Sequence, residues 1–207
     1  PDQDDGYTQT LALLAGLRIT EIMYHPASTE ALEYIELQNI GSVPLELGGV
    51  RFTEGINFVF PEMTLDVGSY VIVVADPVAF EAEHGAAINV AGQYTGKLSN
   101  DGEDIVLQLA DPFEAAIMRF EYNDSWYRDS DGSGYSLEIL DSAAPRGAWD
   151  SAENWRASTI LGGTPAQISP PVITSADTAV SILNDPFFYR VRATNIPSSY
   201  SASGLPP

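Results

Sequence analysis

Two stretches of this chain place carboxylates closely enough to raise the question of chemistry. In EYIELQNIGSVPLELGGVRF, residues 33–52, Glu33 and Glu36 stand three apart, and Glu21 lies in the preceding LRITEIMY. Two carboxyls facing one cleft at roughly 5–10 Å would suit glycoside hydrolysis. Carboxyls that close otherwise repel, or share a proton or a cation. Side chains on a strand alternate faces with period two, so Glu33 and Glu36 point to opposite sides and cannot pair within one strand. The pattern puts Ile35 and Leu37 in the core and Glu36 outside, with Glu33 at the strand's entry near the rim. Glu21 could lie across from one of them. The expectation is of surface and rim acids scattered over the outside. A hydrolase using Glu21, Glu33 and Glu36 is the competing reading, and it needs their side chains to converge.

The second stretch is NDSWYRDSDGSGY, residues 123–135. Asp129, Asp131 and Gly132 form a D-x-D-G run like part of a calcium loop. A full EF-hand loop needs Gly at the sixth position and Glu at the twelfth. Counted from Asp129, the Gly falls fourth and the twelfth residue is Leu140. A partly hydrated calcium site from Asp124, Asp129 and Asp131 stays open beside the plainer reading of a Gly-rich hairpin turn. In the same loop, Trp126 and Tyr127 are the best-placed residues for a sugar-binding platform. Against that stands the commoner use of aromatic residues in small β-domains, packing in the core.

Other chemistry is narrowed by what the chain lacks. It has no cysteine, which removes disulfides, thiol catalysis and thiolate metal sites. Its two histidines, His25 and His84, are far apart and in no metal-ligand spacing, which argues against zinc. There is no G-x-S-x-G nucleophile motif and no phosphate-cradling glycine motif. Twenty-nine acids against nine bases give a formal charge of −20. That disfavours nucleic acid and anionic membrane surfaces and leaves cations, calcium above all, as partners. It also serves solubility or salt tolerance.

The elements that must position these residues are short strands between turn signals. LRITEIMY and EYIELQNI are the first two, the second ended by turn chemistry at Asn39-Ile40-Gly41. VRFTEGINFVF reads as a hairpin turning at Glu54-Gly55. SYVIVVA is a continuous apolar strand, buried on both faces. DIVLQLAD and EAAIMRFEY form a pair joined around Pro112, and YSLEIL follows a Gly-rich turn. One helix is predicted over PVAFEAEH, with Asp76 as N-cap, Pro77 in the first turn and Gly85 as the stop. A second short helical turn is predicted at SAENW, capped by Ser151. So many strands with so little helix argue for an antiparallel sandwich or barrel. With 44% apolar residues the chain can bury a real core.

Residues 1–16 read as a linker or N-terminal extension, 17–167 as the β-domain, and 168–207 as a linker and a partial second β-domain in which FFYRVRATN alternates like a strand. The chain begins with Pro1 and reads as a piece of a longer one. The stretch TLALLAGL has no basic flank and is not read as a signal peptide.

The order of LRITEIMYHP, EYIELQNIGSVPLELGGVRFTEGINFVFP, GSYVIVVADPVAF, GQYTGKLSNDGEDIVL, DGSGYSLEIL, ENWRAS and a closing GTP resembles the lamin-tail domain of large bacterial surface or secreted proteins. The resemblance covers roughly residues 17–167. It implies an immunoglobulin-like antiparallel β-sandwich with one or two short helices, and no catalytic residues. PPVITS…FFYRVRATNIPSSYSASGLPP resembles the start of an immunoglobulin-like repeat of bacterial surface proteins, which implies a truncated second β-domain. On this reading the chain is a non-catalytic structural or interaction module, secreted or at the cell surface, with a protein or glycan partner. A carbohydrate-binding module attached to an extracellular hydrolase is the alternative. Self-association through the C-terminal strands is expected from their open edge. Lamin tails that meet nucleic acid do so through basic surfaces. The charge of −20 departs from that, so neither nucleic-acid binding nor membrane insertion is expected.

Overall fold

The alternating pattern folds as two facing sheets. The computed structural model describes residues 3–167, with side chains from Gly6 onward, so the C-terminal segment and its strand-like FFYRVRATN lie outside the described residues. The strands are β1 (Leu17–Met23), β2 (Tyr34–Asn39), β3 (Leu45–Glu46), β4 (Arg51–Glu54), β5 (Ile56–Val59), β6 (Thr64–Leu65), β7 (Tyr70–Val74), β8 (Val90–Gln93), β9 (Thr95–Gly96), β10 (Gly102–Gln108), β11 (Ala116–Asn123), β12 (Leu137–Ile139) and β13 (Trp155–Ala157). One sheet has the order β13-β12-β1-β2-β7-β8, the other β11-β10-β4-β5-β9, and β3 pairs with β6. Every pairing is antiparallel except β7 with β8.

Between the sheets lies one apolar core. Leu17, Ile19, Ile22, Ile35, Leu37, Val71 and Val73 meet Phe52, Ile105, Leu107, Ile117, Phe120 and Tyr122 from the facing sheet. Burying such side chains contributes about 1.5–3 kcal/mol each, an upper estimate against an extended chain. The hairpin turns at Gly55, whose φ of +84° suits a residue without Cβ. Asn39 ends β2 as expected, its Oδ1 accepting from Gly41 N at 2.9 Å.

Two helices cover the sandwich. Helix α2 (Pro77–His84) is the predicted one, with Asp76 Oδ1 accepting from Val78 N and Ala79 N and the helix closing at Gly85. It lies on the outer face of the six-stranded sheet and seats Phe80 among Met23, Tyr34, Ile72 and Val74. β7 is thereby apolar on both faces, as its sequence indicates. The segment expected to be a linker is a helix, α1 (Gln3–Gly16). Its Leu/Ala-rich second half favours helix, and Leu13 reaches the core. The predicted turn after Ser151 forms as a 3₁₀ turn at Ala152–Asn154, without a side-chain cap from Ser151.

Candidate functional site

The site follows from the phase of β1. Ile19 faces the core opposite Leu37 and Ile22 faces it opposite Ile35, with a bulge between Ile19 and Glu21. Glu21 therefore points to the outer face, directly across from Glu36 on β2. On its other side it pairs with Glu138 of β12, and Glu138 pairs with Arg156 of β13. The result is one cross-strand row, Arg156–Glu138–Glu21–Glu36. Directly opposed residues in antiparallel strands bring their Cβ atoms to within ~4.5–5.5 Å.

This row is not exposed. Glu21 and Glu36 are each 2% exposed and Glu138 5%. The expectation that Glu36 lies outside, and that the acids are scattered over the surface, is therefore corrected. The alternation is right, but the second face of the sheet is itself covered. A strap, residues 158–167, crosses that face. Ser158 N donates to Ser136 O at 2.9 Å and Gly162 N to Gly134 O at 2.7 Å. Thr164 then reaches two acids at once, its N–H donating to Glu21 Oε1 (2.8 Å) and its hydroxyl to Glu138 Oε1 (2.6 Å). Ala166 N donates to Glu36 Oε2 at 2.5 Å. Gly163 passes so close that a Cβ there would collide with Tyr34 Oη and Glu21 Oε1, and its φ of +86° also calls for glycine.

The strands supply the other partners. Tyr34 Oη donates to Glu21 Oε1 at 2.6 Å, and Ser136 Oγ donates to the same oxygen. Thr20 Oγ1 donates to Glu36 Oε1 at 2.6 Å. Arg156 holds Glu138 Oε2 with Nε at 2.9 Å and Nη2 at 2.8 Å. One guanidinium thus faces three carboxyls. Burial pushes the Glu21 carboxyl from its ordinary value of 4.5 up to about 7, with the Glu138 carboxylate adding to the rise and its three hydrogen bonds opposing it. Burial, then Glu21, pushes Glu36 up to about 8. Both carboxyls are thus held well above the ordinary glutamate range. Tyr70, on the adjoining β7, is pushed up to about 12 by burial and then by Glu36 and Glu21.

A model of the lamin tail domain matches residues 14–124. The chain belongs to the lamin tail domain family. No curated protein and no solved structure matches the chain. Lamin tail domains are non-catalytic immunoglobulin-like modules, and the two facing sheets fit that fold. The family match ends beside β11, whereas β12 sits inside the six-stranded sheet between β13 and β1. In this lamin tail domain the acidic row is thus completed by residues beyond the matched span: Glu138, Arg156 and the strap.

The remaining candidate residues are placed differently. Glu33 is on the opposite face of β2 from Glu36, as expected, but it is 1% exposed rather than at an open rim. Its Oε2 accepts from Tyr94 Oη (2.8 Å) and Leu98 N (2.9 Å), and burial raises its pKa. Glu21 and Glu36 converge; Glu33 diverges from them. Asp124 and Asp129 lie in successive 3₁₀ turns, Asp124–Trp126 and Arg128–Ser130, and Asp131 Oδ1 meets His25 Nδ1 at 2.8 Å. Among the described residues no three or more His, Asp or Glu side chains are arranged to hold a metal ion. Trp149 and Trp155 have no exposure, each donating its indole N–H to a backbone carbonyl. Trp126 is half-buried, its ring 6.2 Å from that of Trp155 and tilted by 38°. Tyr127 uses its hydroxyl internally, on Ala152 O and Trp155 O. A cleft of about 510 Å³, lined by Tyr70, His84, Asn89, Pro165 and Gln167 among others, borders the strap.

Proposed function

We propose that this chain is a non-catalytic structural or interaction module of a large secreted or cell-surface bacterial protein, which mediates adhesion or positions neighbouring domains. The observation that carries the reading is the fate of the convergent acids. The carboxyls that come together are clasped by the protein's own strap, strands and arginine, so they hold the domain shut rather than face a substrate. A hydrolase needs two carboxyls open to one cleft with room for sugar and water. The charge of −20 supports an extracellular setting and argues against nucleic-acid partners. Among the described residues no helix is long and apolar enough to cross a membrane.

The test is calorimetric titration of the full chain, first with calcium chloride and then with a panel of soluble glycans, beside turnover of chromogenic glycosides. Silence in all three is the expected result. Glycan heat abolished by Trp126→Ala would replace the reading with the carbohydrate-binding one. Turnover abolished by Glu21→Gln or Glu36→Gln would overturn it. Self-association through the C-terminal segment belongs to the same proposal. Light scattering of the chain with and without residues 169–207 checks it, and an unchanged oligomeric state argues against it.

A further inference from the structure

Beyond a positioning role, the strap has a chemistry of its own. We propose that residues 158–167 form a proton-linked latch, shut while the Glu21 and Glu36 carboxyls keep their protons and released when they ionise.

The geometry requires a coupling of this kind. Three carboxyls stand side by side in one cross-strand row with a single guanidinium at its end. The strap, with α2 beside it, covers the face on which they stand. It buries no large apolar side chain in doing so: Ile160 is 48% and Leu161 64% exposed, and its buried residues are Ser158, Gly163, Thr164 and Pro165. Its described attachment to the row is hydrogen bonds to the three acids.

The groups facing Glu21 and Glu36 come from every neighbouring element. They are Thr20 from β1, Tyr34 from β2, Tyr70 from β7, Ser136 and Glu138 from β12 and its approach, Arg156 from β13, and Thr164 and Ala166 from the strap. From α2, the His84 ring stacks edge-on against Tyr34 at 5.8 Å, and burial lowers its pKa. The strap N–H groups favour ionised carboxylates, but burial and the neighbouring acids outweigh them. The shut state therefore binds more protons than a state in which the row meets water, and raising the pH must favour opening. The window runs from the ordinary 4.5 of a solvated glutamate to about 7 and about 8.

Hydrogen exchange of the full chain tests the latch, with strap protection factors corrected for intrinsic exchange at each pH. Protection at the Thr164 and Ala166 amides should fall as pH rises from 5 to 8, by up to about tenfold per pH unit for each carboxyl that ionises on opening. Protection at Val71 and Val73 should stay higher than the strap's at every pH, because these core amides exchange only through a larger opening. In Glu21→Gln/Glu36→Gln the strap's pH dependence should disappear. A strap whose corrected protection is the same at pH 5 and 8, or whose pH dependence survives in the double variant, overturns the proposal. Should the double variant not fold, infrared spectroscopy of the unaltered chain decides. A protonated-carboxyl band persisting at pH 6.5 and lost by pH 9 supports the latch, and its absence at pH 6.5 refutes it.

Discussion

Removing the row's one cation, by Arg156→Met, is the perturbation whose magnitude the structure fixes best. Methionine keeps much of the aliphatic stem that packs beneath the guanidinium. What is lost is a two-point attachment to Glu138 Oε2, at 2.9 and 2.8 Å, between partners 9% and 5% exposed. Deleting one member of a buried ion pair costs about 3–5 kcal/mol, chiefly because the other charge stays buried without compensation. Against a total domain stability of about 5–15 kcal/mol the variant should still fold. The cost should depend on pH. At pH 8 the Glu21 and Glu36 carboxyls ionise beside Glu138 in a row that has lost its positive charge. At pH 5 those two carboxyls are neutral, fewer like charges face Glu138, and the cost should be smaller. Adding Glu138→Gln should restore about 2–3 kcal/mol at pH 8, because the amide still offers an oxygen to Thr164 Oγ1 and leaves no buried charge. Urea unfolding of the three variants and the parent at both pH values gives the full cycle. The reasoning is refuted if Arg156→Met costs less than about 1 kcal/mol at pH 8, if its cost is the same at pH 5, or if the double variant shows the simple sum of two losses.

Two further outcomes follow from the same site. Global stability should decline as pH rises from about 4.5 and level off above about 8, because the unfolded chain ionises Glu21 and Glu36 near 4.5 and the folded chain only at about 7 and about 8. The slope from each group is about 1.4 kcal/mol per pH unit at most, the two shifts are not additive because each acid raises the other, and urea midpoints in Glu21→Gln/Glu36→Gln should lose this slope. Gly163→Ala should destabilise by at least about 2 kcal/mol, from a left-handed φ and a collision with Tyr34 and Glu21. Gly162→Ala, with a similar φ but its nearest contact at 3.5 Å, should cost only about 1 kcal/mol by thermal unfolding.

Much of the fold is legible in the sequence because it rests on local signals. Asp76-Pro77 and Gly85 bracket α2, Glu54-Gly55 marks the hairpin, and the apolar run of β7 announces a strand covered twice. The acidic row is less legible, for a physical reason. Alternation says which face a side chain is on but not whether that face meets water, and here the cover comes from α2 and from a strap more than a hundred residues downstream of Glu36. One signal was available. β2 is the sheet neighbour of a strand buried on both faces, so the outward residues of β2 stand beside covered ones. Helix α1 was obscured in the same way, its polar start outweighing the Leu/Ala run that docks on the core.

The bulge in β1 is the step on which the row depends. Strict period two from Leu17 and Ile19 would turn Glu21 toward the core, an unpaired carboxyl among Ile22, Ile35 and Phe120. One extra residue resets the phase, so that Ile22 faces inward and Glu21 outward. The sequence carries the mark of this, since the apolar core positions run 17, 19, 22 rather than 17, 19, 21. Thr20, at the irregularity, caps Glu36 Oε1 with its hydroxyl. Without the bulge Glu21 could not stand between Glu36 and Glu138, Thr164 could not bridge two acids, and Gly163 would have no reason to lie flat against the sheet. Deleting Thr20 should leave Glu21 outward and Ile22 inward, because Leu17-Arg18-Ile19-Glu21-Ile22 then alternates strictly. The strap should therefore keep its pH dependence and lose only the Thr20 bond to Glu36, and a strap whose pH dependence vanishes in this deletion would refute the account of the bulge.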